Sequence, residues 1–111
     1  MTVSIPPSIK RFSILGAVCF ALGLSSLAGA ARSGEQVFNT YCVACHMSGV
    51  AGAPRFGNHE DWQPRIDKGL DTLLKDAISG IKAMPPKGLC FDCSDDELKL
   101  AIEFMIDNSK D

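Results

Sequence analysis

The pentapeptide Cys42-Val43-Ala44-Cys45-His46 constrains this chain more than any other stretch in it. C-x-x-C-H is the attachment signature of a c-type haem. Two thiols three positions apart near a helix end can each add to one of the two vinyl groups along a porphyrin edge. The next residue then presents an imidazole to the iron from the same side. Cys42 and Cys45 are therefore expected to hold the ring through thioethers, with His46 as the fixed axial ligand. Two other readings of these residues stay open at this point. A Cys-x-x-Cys pair followed by His is also half of a zinc site, and Cys90-x-x-Cys93 lies downstream where the other half would be. The spacing is also that of a thioredoxin-like dithiol.

A length of 111 residues allows at most one small domain, and residues 1–30 are not expected to belong to it. Lys10 and Arg11 precede an uncharged apolar run from Phe12 to Leu24, and Ser25-Ser26-Leu27-Ala28-Gly29-Ala30 follows. Basic, then apolar, then small-x-small is the order of a secretory signal peptide, here with cleavage after Ala30. The alternative is an uncleaved anchor on the periplasmic face of an inner membrane, because Phe12 to Ala31 is uncharged over the ~20 residues that a bilayer span needs. Cys19 falls inside this leader and reads as a small apolar residue of it.

The remaining stretch, 31–111, is the expected monohaem domain, with Cys42, Cys45, Cys90 and Cys93 as its cysteines. All 13 acidic residues lie in it while Lys10 and Arg11 do not, so it is more acidic than the formal net charge of −2 for the whole chain. With no basic run or stripe, nucleic acid is excluded as a partner. So short a domain sits near the lower limit for a self-sufficient apolar core, and a buried porphyrin would supply the missing apolar surface. Export also places the chain where disulfides persist, which weighs against zinc.

The residue pattern is helical throughout. Ser33 to Cys45 reads as a first helix, capped by Ser33, with Glu35 near its positive end and Val37, Phe38 and Tyr41 as an apolar stripe. Met47 to Asn58 is small and turn-prone, with Gly49, Gly52 and Gly57 free to let the backbone approach something closely. Glu60 to Lys68 is a weaker helix carrying Trp62 and limited by Pro64. Leu70 to Ser79 is a better one, apolar at Leu70, Leu73, Leu74, Ala77 and Ile78 and ended by Gly80. Lys82 to Gly88 is expected to be extended, since Pro85 and Pro86 cannot continue a helix. Ser94-Asp95-Asp96-Glu97 is a capping box opening a last helix with Leu98, Ala101, Ile102, Met105 and Ile106 on one face. The acidic cluster of Asp92, Asp95, Asp96 and Glu97 then reads as favourable charge at a helix N-terminus rather than a docking patch. With no alternating strand pattern and no repeat, the fold class is all-α.

A haem built for electron transfer wants a second protein ligand, and Met47, Met84, Met105 and His59 are the candidates. Met47 adjoins His46 and cannot reach the opposite face. Met105 has the position of core filler, and His59 that of an exposed polar residue. Met84 sits in a loop stiffened by two prolines, far enough along the chain to cross the ring, and is the expected ligand. An open sixth position, allowing a haem enzyme or small-ligand sensor, is the alternative. In an exported protein Cys90 and Cys93 are expected to pair as a short-loop disulfide fixing the entry to the last helix, with a redox-active pair as the other option.

Taken together, Gly34 to Phe38, Cys42-x-x-Cys45-His46, Gly52-Ala53-Pro54, the Met84-Pro85-Pro86 loop and the C-terminal helix resemble class I c-type cytochromes. Trp62-Gln63-Pro64-Arg65-Ile66, Ala83 to Gly88 and Cys90-Phe91-Asp92-Cys93-Ser94-Asp95 are similar to the bacterial cytochrome c5 branch. The resemblance implies crossing first and last helices around one covalently attached haem c. It implies that the Pro54 carbonyl orients His46, that Trp62 and Arg65 lie near the haem propionates, and that Cys90 pairs with Cys93. The function it implies is single-electron transfer in a periplasm between redox partner proteins of a respiratory or related chain, without transformation of a substrate. Lys82 and Lys87 flank the methionine loop and could meet an acidic partner, though solvated lysines need no such role. Nothing in the sequence supports a homodimer, and no stable membrane insertion is expected once the leader is removed.

Overall fold

The computed structural model describes residues 30–111 together with Thr2 and Ser4. The chain divides into two units, Met1–Ala30 and Ala31–Asp111, and every helix of the described residues lies in the second. The expected leader, its Cys19 and its cleavage or anchoring lie outside the described residues, apart from Thr2, Ser4 and Ala30. Among the described residues no helix is long and apolar enough to cross a membrane.

The expected first helix is one continuous right-handed run built in three pieces. Ser33 caps it: its hydroxyl accepts from the Gln36 N–H, and the Gln36 side chain reaches back to the Ser33 N–H, closing a capping box. Helix α1 (Gly34–Val37) passes into wider π-type turns over Phe38–Cys42, and α2 (Val43–His46) follows. The wide segment is a departure from the plain α-helix expected. It ends at Cys42, and such widened turns recur at functional sites because they shift the side chains beyond them.

Helix α3 (His59–Ile66) begins one residue earlier than expected, because Asn58 caps it by accepting from the Asp61 N–H. Helix α4 (Leu70–Ser79) runs between Gly69 and Gly80, both at positive φ. Helix α5 (Asp95–Asp107) opens on the predicted Ser94–Glu97 capping box. No strand occurs among the described residues; the only β-type pairing there is an isolated bridge between Ile81 and Met84.

The start of the first helical run packs on α5. Val37, Leu98 and Ala101 share a buried cluster with Cys90 and Cys93, closed on one side by Leu74 and Ile78 of α4. Gly34 makes the approach possible: a Cβ there would lie 2.1 Å from the Leu100 carbonyl oxygen. A second cluster joins Phe38, Trp62 and Met105. Phe38, Phe56 and Phe104 form a triangle of rings with centroids 4.9 to 5.4 Å apart, the tilted geometry aromatic rings prefer.

The 82–88 stretch is not extended. The Ile81 and Met84 main chains bond each other in both directions, at 3.1 and 2.9 Å, around a tight turn. Pro86–Leu89 then winds into a single short turn. Lys82, Lys87 and Leu89 take positive φ values of 53, 58 and 69°. The prolines do exclude α-helix here, but tertiary contacts fold the rest of the loop more tightly than its composition implies.

Candidate functional site

Between these elements lies a cavity of about 510 Å³, within the ~300–1,000 Å³ common for cofactor sites. Four candidate haem-binding residues from two parts of the chain line it: Cys42, Cys45 and His46 from the first helical run, and Met84 from the proline loop. Cys42 and Cys45 are unpaired thiols, the first half-buried and the second exposed. Burial, with a smaller contribution from Cys45, pushes the Cys42 thiol up to about 11.

His46 is 8% exposed, and its Nδ1 lies 2.9 Å from the Pro54 carbonyl oxygen. A carbonyl can only accept, so Nδ1 carries the proton and Nε2 is left with a free lone pair. Burial favours the neutral ring, outweighing the pull of the Pro54 carbonyl, and the Arg65 charge adds to the fall in pKa. Neutral imidazole is the form that ligates iron. The Phe56 N–H donates to the His46 carbonyl at 2.6 Å, so the 53–56 segment is fastened to the end of α2 twice.

Trp62 stacks on His46 with ring centroids 5.9 Å apart and planes 25° off parallel. Its indole N–H donates to the Arg55 carbonyl at 3.0 Å, so the ring, rather than the N–H, faces the cavity region. Arg65 lines the cavity and donates to the Asp61 carbonyl at 2.8 Å and the Gly52 carbonyl at 3.3 Å. It therefore ties α3 to the loop that presents Pro54. Arg55 forks onto Asp61 through Nε at 2.7 Å and Nη2 at 3.2 Å, and this holds the Asp61 carboxyl below its ordinary range.

On the other wall, Gly80 at φ +84° lets the end of α4 meet the Met84 carbonyl and Pro86, where a Cβ would be 3.0 Å from both. Met105 is buried and lines the same cavity, but from α5 amid the aromatic cluster, as filler would. Met47 is 54% exposed. His59 is not among the lining residues; its Nε2 lies 3.3 Å from the Asp111 carboxylate. Lys87, read from sequence as a solvated lysine, donates instead to the Cys93 carbonyl at 3.2 Å.

Cys90 and Cys93 are joined as a disulfide and are both buried. Against them lies a residue the sequence did not single out. Arg32 donates from its main chain and from Nε to Glu97 Oε2, at 2.9 and 2.7 Å, and from Nη2 to Glu97 Oε1 and Asp92 Oδ1, at 3.2 and 3.3 Å. The same Nη2 is 3.5 Å from Cys93 Sγ. This fork, with the Ser94 N–H, holds the Glu97 carboxyl well below the usual carboxylate range. The only sequence signal was a single arginine one residue before a helix cap.

The residues fit a covalently attached haem: two free thiols at vinyl spacing, a neutral imidazole with its proton held away, and mainly apolar walls. The comparisons with known proteins agree. Residues 29–105 match the family model described as "Cytochrome C oxidase, cbb3-type, subunit III". Cytochrome c5 of Azotobacter vinelandii is 55% identical over 76 residues, covering 67% of this chain and 92% of that protein. A solved mono-haem ferrocytochrome c from Shewanella putrefaciens is 48% identical at a TM-score of 0.62, covering 69% of this chain and 95% of its own. The cytochrome c chain of an electron transfer complex with nitrite reductase aligns at a TM-score of 0.67 and 35% identity, covering 74% of this chain and all of that one. Members of this family carry covalent haem c and transfer electrons, and so does this protein. The chain belongs to the class I c-type cytochromes, and among them it resembles cytochrome c5.

Proposed function

We propose that His46 and Met84 are the two axial ligands, that Cys42 and Cys45 hold the ring, and that the protein is a carrier rather than an enzyme. The observation that carries this reading is the convergence of Cys42, Cys45, His46 and Met84 on one cavity. The haem, once bound, supplies a one-electron couple that a thioether ligand biases toward the reduced state. The protein's part is to keep that environment unchanged between oxidation states. Pro54 holds the His46 proton and so its ring orientation. Arg65 braces the Pro54 loop, and Trp62 backs the imidazole. Met84 is set by the Ile81–Met84 bridge and by Pro85 and Pro86. Arg65, which lines the cavity and carries a guanidinium, is the residue suited to a propionate; Trp62, with its N–H engaged, contributes packing.

The carrier acts in a periplasm after residues 1–30 are removed, and its partners are redox proteins of a respiratory or related chain. Support for the partner class comes from the neighbour crystallised with nitrite reductase. Support for export comes from the leader-like order of residues 10–30.

The deciding experiment uses protein exported in a host with c-type haem maturation, with acid-acetone extraction followed by optical spectroscopy. Haem retained by the polypeptide, with a low-spin spectrum and the weak far-red band of methionine-bound ferric iron, is the expected result. That band should vanish in Met84→Ala. Retained haem lacking the band and binding carbon monoxide readily would mean an open sixth site and a sensor or enzyme.

A further inference from the structure

We infer that Arg32 is a positioning residue for the methionine ligand: its clamp on the disulfide loop holds the strained Met84–Leu89 segment in its ligating conformation. The inference rests on Met84 being the sixth ligand.

Three non-glycine residues of the loop, Lys82, Lys87 and Leu89, adopt left-handed backbone conformations. Such conformations are strained and persist only where the surroundings over-determine them. The local turn bonds do not do this alone. From Met84 onward, the Gly88 N–H bonds the Pro85 carbonyl and the Cys90 N–H bonds the Lys87 carbonyl. Lys87 Nζ reaches forward to the Cys93 carbonyl. The segment from Pro85 to Cys93 is thus one linked unit, and its far end is the disulfide.

That far end is packed among Val37, Leu98 and Ala101, and Arg32 adds the polar clamp that orients it. One guanidinium joins Glu97 at the start of α5, Asp92 within the disulfide loop, and the Cys93 sulfur, while its main-chain N–H binds Glu97 as well. It also lies 5.9 Å over the Tyr41 ring, on the helical run that carries Cys42. Without the fork, the loop would keep its internal bonds and the packing of its disulfide on Val37, Leu98 and Ala101, but lose the polar anchor that ties it to Glu97 and to the start of the first helical run. The stored backbone strain could then relax by moving Met84.

The test uses ferric holoprotein of the wild type, Arg32→Gln and, as a matched control, Asp61→Asn. The control breaks an arginine–carboxylate fork of the same geometry outside the methionine loop. Denaturant titrations follow the far-red methionine band and helical circular dichroism on the same samples. In the wild type and in Asp61→Asn the two signals should be lost together. In Arg32→Gln the band should be lost at lower denaturant than the helix signal. Without denaturant, Arg32→Gln should bind imidazole more tightly, in proportion to the fraction of molecules whose methionine site is open, and its midpoint potential should fall. Coincident loss of band and helicity in Arg32→Gln, with imidazole binding as in the wild type, would show that Arg32 serves stability alone and overturn the inference. A wild type with no band would remove the Met84 reading itself, and the inference with it.

Discussion

His46 and Trp62, whose rings stack, are each hydrogen-bonded through a ring N–H to one main-chain carbonyl. Pro54 takes the imidazole proton and Arg55 takes the indole N–H of Trp62. Trp62→Phe keeps a stacked ring but leaves the Arg55 carbonyl without its donor. It should lower stability by about 1 kcal/mol in chemical denaturation while leaving the low-spin spectrum intact. A changed spectrum would mean that the indole touches the haem directly. At Glu97 the charge itself can be isolated, because glutamine preserves the capping box. Arg32 lowers the folded-state pKa of Glu97 below its unfolded value of about 4.3. The stability this contributes is full above that unfolded value and is lost as pH falls toward the folded one. Glu97→Gln should therefore be less stable than the wild type at neutral pH, and the gap should narrow progressively as pH falls below about 4. A constant offset between them across a pH series of melts would assign the difference to packing instead.

The helices are locally self-consistent, and most of their ends were readable. Ser94 and Glu97, Leu70 to Ser79 and the Ser33 cap follow from short-range chemistry that needs no tertiary partner. Removing the cap by Ser94→Ala should cost about 1 kcal/mol, read as a lower denaturation midpoint. What local chemistry could not reveal was where two elements touch. Gly34 is an unremarkable residue in a helix until Leu100 is set 2.1 Å from its missing Cβ. Because the obstacle is backbone, Gly34→Ala must push α1 away from α5, at a cost of about 1–3 kcal/mol or more. A midpoint unchanged from the wild type would mean that the crossing is looser than it looks. The wide turns over Phe38–Cys42 and the left-handed residues of the methionine loop belong to the same class. Both are local conformations that the residues do not prefer, imposed by what surrounds them.

At the scale of the molecule, the two buried clusters flank a cavity that sits where a core would otherwise be. A domain this small has little apolar surface to spare. The haem should therefore be part of the folding unit and not a guest in a finished one. The double variant Cys42→Ala, Cys45→Ala, made without covalent haem, is expected to lose most of its helical circular dichroism and its NMR dispersion. A native-like spectrum from that variant would show that the polypeptide closes a core by itself.

The sequence by itself determined the cofactor chemistry and the helical class, and it marked the four residues proposed to hold the haem. These are set by spacing along the chain: two thiols and an imidazole within five residues, a methionine before two prolines, and apolar positions at helical period. The tertiary structure alone decided how that site is held. The Arg32 fork to Glu97 spans 65 positions, and the Gly57 N–H to Ser109 bond spans 52. Lys87 was diverted from solvent to the Cys93 carbonyl. Contacts of that kind leave no periodic trace, because they depend on which side chains the crossing of the first and last helices brings within reach.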